Sequence, residues 1–187
     1  MKKVSFFLLG AAFLASSLAF VAPKNPKAPI TLAVQSDKSR VDFIGSKAGD
    51  FHTGTFAVKG GSVQVEGGKL VGGSFVIDLA NLKVTDAAGE KLAGHLKSAD
   101  FFDVAKFGEA VYTISSVDYS SATACKINGT LNIKGVGVPV SFASNIRSAS
   151  EKGLFGQAFF SLDRTLLGIA YAGPSKDVQI AVHLFAK

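Results

Sequence analysis

The chain has 187 residues, 48% of them hydrophobic and 18% charged, which suits a single folded domain and excludes a disordered polymer. The formal net charge of +6 comes from basic residues scattered along the chain, without the clustered, aromatic-interleaved footprint of a nucleic-acid binder. Its aromatic content is 16 Phe against 3 Tyr and no Trp, large apolar rings that suit a dry interior better than a sugar-binding or base-stacking surface.

Met1-Lys2-Lys3 followed by the apolar run Val4 to Ala15 reads as a signal peptide. Ser17-Leu18-Ala19 supplies small residues before the scissile bond, so residues 1–19 are expected to be removed and the mature protein to be periplasmic. An uncleaved anchor over Val4 to Ala22 is the rival reading, weakened by Gly10, Ser16 and Ser17. Cys125 is the sole cysteine, so lipid attachment near the cleavage site and an internal disulfide are both excluded. Pro23, Pro26 and Pro29 with Lys24, Asn25 and Lys27 mark residues 20–29 as an extended linker, and the domain spans 30–187.

Within the domain, period-2 patterning dominates. Val63 and Val65 alternate with polar residues between the turn signals Gly60-Gly61 and Gly67-Gly68. In Val71 to Leu79, Phe75, Ile77 and Leu79 lie opposite Ser74 and Val76. Thr85 to Phe102 is the one helical region: Thr85 or Asp86 can cap it, and Leu92 and Leu96 share a face. Gly89 and Gly94 break it into short turns, and Ser98 or Asp100 can cap a second one carrying Phe101 and Phe102. From Lys126 to Lys134, Ile127, Leu131 and Ile133 face one way and Lys126, Asn128, Thr130 and Asn132 the other. Cys125 shares the apolar parity and reads as a buried strand residue. Gly135 marks a hairpin into Val136, Val138, Val140 and Phe142. Leu154 to Leu162 is apolar on both faces, with Phe155 and Phe159 opposite Leu154, Ala158, Phe160 and Leu162, and Val178, Ile180, Val182 and Leu184 alternate once more.

About eight strands at spacings of roughly 8–12 residues predict an all-β, antiparallel, lipocalin-like β-barrel with a short helical insert. Eight strands closed on themselves enclose side chains or one small ligand. Gly54, Gly72, Gly73, Gly129 and Gly156 inside strand-like runs call for bends or unfilled volume, which favours a hollow barrel. Strands apolar on both sides call for a second apolar environment, such as a helix outside the barrel or over one end.

Several segments together resemble the YceI-like family of exported lipid-binding proteins. They are Ser39-Arg40-Val41-Asp42-Phe43, Gly54-Thr55-Phe56, His95-Leu96-Lys97-Ser98-Ala99-Asp100-Phe101-Phe102-Asp103, Gly129 to Val136, and Leu162-Asp163-Arg164-Thr165 with Leu167-Gly168-Ile169. The resemblance covers about Ile30 to Phe185. It implies a barrel holding a long-chain isoprenoid or similar amphiphilic lipid, in the periplasm. The chain departs from the family at Phe107-Gly108, where an aromatic is usually followed by proline, and at Leu166-Leu167, where an aromatic often precedes the glycine.

Such a ligand needs an apolar tunnel and a place for its head. The inward candidates are Phe43, Phe56, Phe75, Ile77, Phe101, Phe102, Ile114, Phe159 and Phe160, as ligand contacts or as ordinary core. Arg164 can pair with an anionic head at the mouth, or form a structural ion pair with Asp163, Asp100 or Asp103. His95 and Lys97 can serve a head group or a helix end. Asp100 and Asp103 read as caps rather than an acid pair. The three histidines, His52, His95 and His183, lack metal-ligand spacing, and no nucleophile-elbow, Walker or dinucleotide motif occurs, so neither catalytic residues nor cofactors are assigned. The sequence thus points to a non-enzymatic carrier or scavenger of a long-chain amphiphile, polyisoprenoid or fatty-acid-like. A small periplasmic enzyme acting on a hydrophobic substrate and an outer-membrane barrel are the alternatives, and a homodimer stays open.

Overall fold

The computed structural model describes residues 28–187; the expected signal peptide 1–19 and the linker up to residue 27 lie outside the described residues. The strands are β1 Ile30–Ala33, β2 Arg40–Lys47, β3 Asp50–Glu66, β4 Lys69–Val84, β5 Glu109–Tyr119, β6 Ala124–Ile133, β7 Val136–Ser150, β8 Gly153–Asp163 and β9 Asp177–Ala186. One helix, α1 Gly89–Lys97, sits between β4 and β5, and a single 3-10 turn, Arg164–Leu167, follows β8. The sheet order is β1-β3-β2-β9-β8-β7-β6-β5-β4, every pairing is antiparallel, and β3 bonded to β4 closes β2–β9 into a barrel. β1 is an extra strand laid on the far half of β3, from Ile30 opposite Val65 to Ala33 opposite Ser62.

The alternation puts one parity inside. Ile127, Leu131 and Ile133 of β6, Val138, Val140 and Phe142 of β7, and Val182 and Leu184 of β9 are buried in a continuous core. Their neighbours Lys126, Asn132, Ser141 and Asn145 face water. Lys134 and Gly135 both take positive φ, 51° and 76°, giving the tight two-residue turn whose twist suits a hairpin. Cys125 is buried, as its parity predicts, and burial pushes its thiol pKa up.

Two irregularities shape the barrel at one end. The β3–β4 register jumps from Thr55 opposite Lys83 to Ala57 opposite Asp78, so four residues of β4 bulge out. Leu79 and Ala80, at that bulge, donate backbone N–H bonds to the Gly108 carbonyl. Between β7 and β8 the ladder runs only from Ser144 to Ser150 against Gly153 to Ala158. Nearer the helix the two strands carry no pairing among the described residues, although β8 stays bonded to β9 as far as Asp163. Phe142 and Phe160 stack across this split, centroids 4.4 Å apart.

The helical insert is shorter than the Thr85 to Phe102 region that the sequence suggests. Asp86 organises its approach from the preceding turn: its carboxylate accepts from Ala88 N at 2.8 Å and from Thr53 N at 2.7 Å. Among the described residues, no helix covers the outer face of β8. Phe155 stacks on Phe185 with centroids 4.1 Å apart, and Phe159 is 67% exposed. The expected second apolar environment is therefore met by ring pairing for Phe155, and by nothing among the described residues for Phe159 beyond the edge of His183.

Candidate functional site

A cavity of about 600 Å³ occupies the half of the barrel nearest the helix. Its walls are strand residues of the inward parity, including Phe43, Phe56, Phe75, Ile77 and Phe160. Its rim is assembled from three pieces: Gly45 to Ala48 of the β2–β3 hairpin, α1 with the turn after it, and the 164–175 connection. Leu92 and Leu96 of α1 face inward over the cavity, while Ala93 packs fully buried.

The turn after α1 explains the twin phenylalanines. Ser98 closes the helix, its backbone N–H and its hydroxyl both donating to the His95 carbonyl at 3.1 and 2.7 Å. Asp103 at φ 49° turns the chain back, with its N–H on the Ser98 carbonyl at 2.8 Å. Phe101 and Phe102 are thereby aimed into the rim. Phe102 meets Phe56 edge-on at 5.6 Å, and Phe101 lies 4.8 Å from Tyr171. Lys134 Nζ donates to the Phe101 carbonyl and ties this turn to the β6–β7 hairpin.

His95 lines the cavity, standing edge-on to Phe101 at 5.0 Å and to Tyr171 at 5.1 Å. Lys97 is not part of the lining. Of the two aspartates read as caps, Asp100 is exposed and Asp103 binds Lys106 at 3.1 Å. His183 lies outside the cavity lining, between Gln157 at 3.1 Å and Asp42 at 3.8 Å.

Three sequence expectations need correction. Arg164 lines the cavity, yet it forms no ion pair with Asp163, Asp100 or Asp103, and its donors go to loop carbonyls. Its Nε donates to Ser175 O at 2.9 Å, Nη1 to Ile169 O at 2.6 Å, and Nη2 to Tyr171 O at 2.7 Å and Pro174 O at 2.8 Å. Asp163 binds Lys176 instead, at 3.5 Å. The guanidinium is a clamp that folds the 169–175 loop over the mouth, which buries Leu167 and Ile169. Phe159 projects outward and lines no part of the cavity, because β8 presents the opposite parity inside. Ile114 does point inward, yet it borders a separate, smaller void deeper in the barrel.

The glycines also play a different part. An added Cβ at Gly54 would lie 2.3 Å from the Phe43 ring, and one at Gly129 would lie 2.6 Å from Tyr112 Cζ. These positions are small because rings lie across them, not because they leave volume for a guest.

Sequence reasoning passed over Tyr112, Phe142, His52 and Tyr171, all part of the lining. Tyr112 and Phe142 were legible by parity with Ile114 and Val140. Tyr112 donates its hydroxyl to Val140 O at 2.9 Å, and burial pushes its pKa up to about 12, so it remains a neutral donor. His52 Nδ1 sits 3.4 Å from the Asp86 carboxylate, a contact between β3 and the turn before α1 that no local motif announces.

The geometry is that of a pocketed barrel: one deep apolar chamber, aromatic rings along its walls, and its charged and histidine side chains at the rim. Residues 32–186 match the YceI-like domain. The chain belongs to the YceI-like family. The fold agrees with solved structures that cover nearly the whole of their own chains. BcnA of Burkholderia cenocepacia is 18% identical, with a TM-score of 0.70 over 82% of this chain and 99% of that one. A polyisoprenoid-binding domain from Saccharophagus degradans, implicated in plant cell wall breakdown, is 16% identical, with a TM-score of 0.66 over 83% and 97%. A Campylobacter jejuni YceI protein is 14% identical, with a TM-score of 0.51 over 100% and 99%. At these identities the likeness establishes the common YceI-like fold. No curated protein matches the sequence.

Proposed function

We propose that this YceI-like protein is an exported, non-enzymatic carrier or scavenger that holds one long-chain amphiphile, a polyisoprenoid or a fatty-acid-like lipid, tail inward in the barrel. The observation that carries the reading is the apolar chamber of about 600 Å³, a size within the roughly 300–1,000 Å³ of small-molecule sites. Each Å² of hydrocarbon removed from water there contributes about 25 cal/mol, so a chain-like tail binds by area rather than by specific contacts. Polyisoprenoid binding in the Saccharophagus domain of the same fold supports the choice of ligand class.

A binding role is also supported by how the rim's polar groups are used. Arg164 is committed to loop carbonyls, and His95 is flanked by rings. The outward Lys126, Asn132, Asn145 and Arg147 suit a barrel surrounded by water rather than by a bilayer, and the lysine-led apolar N-terminus suits export to the periplasm.

Native mass spectrometry of protein purified from its own host, followed by lipid extraction, tests this reading. The expected result is a bound species of lipid mass that denaturation releases. A homogeneous apo mass, with no uptake on incubation with prenyl alcohols or fatty acids, rejects it.

A further inference from the structure

Beyond the main chamber the barrel holds a second void of about 30 Å³, walled by Ile114, Ile127, Ile146, Leu154 and Leu184 among others. Phe75, Tyr112, Phe142 and Val182 line both spaces and are therefore the partition between them. The rings in this partition touch in sequence. Phe75 lies 5.7 Å from Tyr112, and Tyr112 lies 5.4 Å from Phe142.

We propose that Tyr112, backed by Phe142, sets the greatest tail length this cavity accepts. The inference rests on the lipid-binding reading above and deepens it, because it assigns the residue that meets the end of the hydrocarbon. Tyr112 is fixed at its tip. Its hydroxyl is bonded to the Val140 carbonyl, and its Cζ–Oη end lies against the backbone of Gly129. A ring tethered at its polar tip cannot swing aside as a free phenyl would. Phe142 is held in turn by the parallel stack on Phe160, with planes 5° apart. What lies behind the partition is as apolar as what lies before it, so a tail passing the rings would still bury hydrocarbon against hydrocarbon. The barrier to a longer tail is thus steric and local, with Tyr112 and Phe142 standing in it beside Phe75 and Val182.

The experiment presents the full mature protein with an equimolar ladder of saturated fatty acids that lengthen by two carbons per member, and reads the bound species by native mass spectrometry. Wild type, Tyr112→Leu and Phe142→Leu are compared, each first checked for folding by circular dichroism. The two variants back each other should one fail to fold. The expected result is a wild-type cutoff that moves up by at least one member of the ladder in either folded variant, while the outward Lys126→Ala leaves it unchanged. Wild-type uptake with the same cutoff in every folded variant overturns the length-setting role alone. A wild type that takes up no member of the ladder overturns the lipid-binding reading and the length-setting role with it.

Discussion

The Nη1 of Arg164 donates to the carbonyl of Ile169 at 2.6 Å, a bond from the start of the 3-10 turn to the loop that the same side chain folds over the barrel mouth. Among the described residues, no carboxylate lies within ion-pair distance of this buried arginine; backbone carbonyls take its donors. Arg164→Met is expected to remove this clamp and destabilise the protein by at least one charge-assisted hydrogen bond, about 1.5–3 kcal/mol. Urea denaturation measures the loss, and amide exchange should rise first across 169–175. Arg164→Lys should recover less than half of it, because a single ammonium cannot reproduce the planar fork.

Neighbouring phenylalanines on β8 should behave oppositely. Phe159 is exposed on the outer wall, and Phe160 lines the cavity and stacks on Phe142. Phe159→Asp is expected to change stability by no more than about 0.5 kcal/mol and to leave lipid loading intact. Phe160→Asp should abolish loading, since it sets a carboxylate among rings that cannot hydrate it. Displacement of a fluorescent fatty acid distinguishes the two. Lost loading in Phe159→Asp with Phe160→Asp unaffected would reverse the assignment of faces.

Gly129→Ala is a one-carbon change with a sharp expectation. The new methyl would meet Tyr112 Oη at 2.6 Å and the Thr113 carbonyl at 2.4 Å, so either the ring or the strand must shift. Overpacking of this kind costs about 1–3 kcal/mol. A lower urea midpoint with an unchanged m-value is the expected readout, and an unchanged midpoint would mean that the ring is not held where it is described.

Acid should loosen the helix approach. Asp86 accepts N–H bonds from Ala88 and Thr53, with His52 beside it, and these hold its carboxyl below the usual carboxylate range. A depressed pKa means that the folded state binds fewer protons than the unfolded state. The associated stability is therefore present above the ordinary value of 3.8 and is lost as pH falls through it and below. Thermal melts of wild type and Asp86→Asn between roughly pH 6 and pH 2 test this: the variant should be less stable at neutral pH, and the difference should shrink at the acid end.

The strands with clean alternation, β6, β7 and β9, could be read directly from the sequence, as could the Lys134-Gly135 hairpin and the single helical insert. In those strands one parity is polar, so inside and outside are decided locally. In β8 both parities are apolar, and Phe159 and Phe160 compete for the same role on equal terms; only the pairing of Phe159 with Ala181 on β9 decides between them. Arg164 was legible as an odd cation in an apolar stretch, but its partners are carbonyls of a loop with no periodicity. The contact between His52 and Asp86 spans 34 residues and follows from the register of β3, which composition cannot supply. The strand glycines were legible as unusual, yet the reason at Gly54 and Gly129 is a ring from a neighbouring strand.

The partial junction between β7 and β8 leaves the first half of β7 zipped on one side only, to β6. Pro139 stands in that half, opposite Thr130. A bare strand margin is a template on which a neighbouring molecule can add a strand, and proline has no amide hydrogen to offer it. The wall therefore has an unzipped seam beside the mouth, and the proline in it offers a further strand one hydrogen-bond donor fewer.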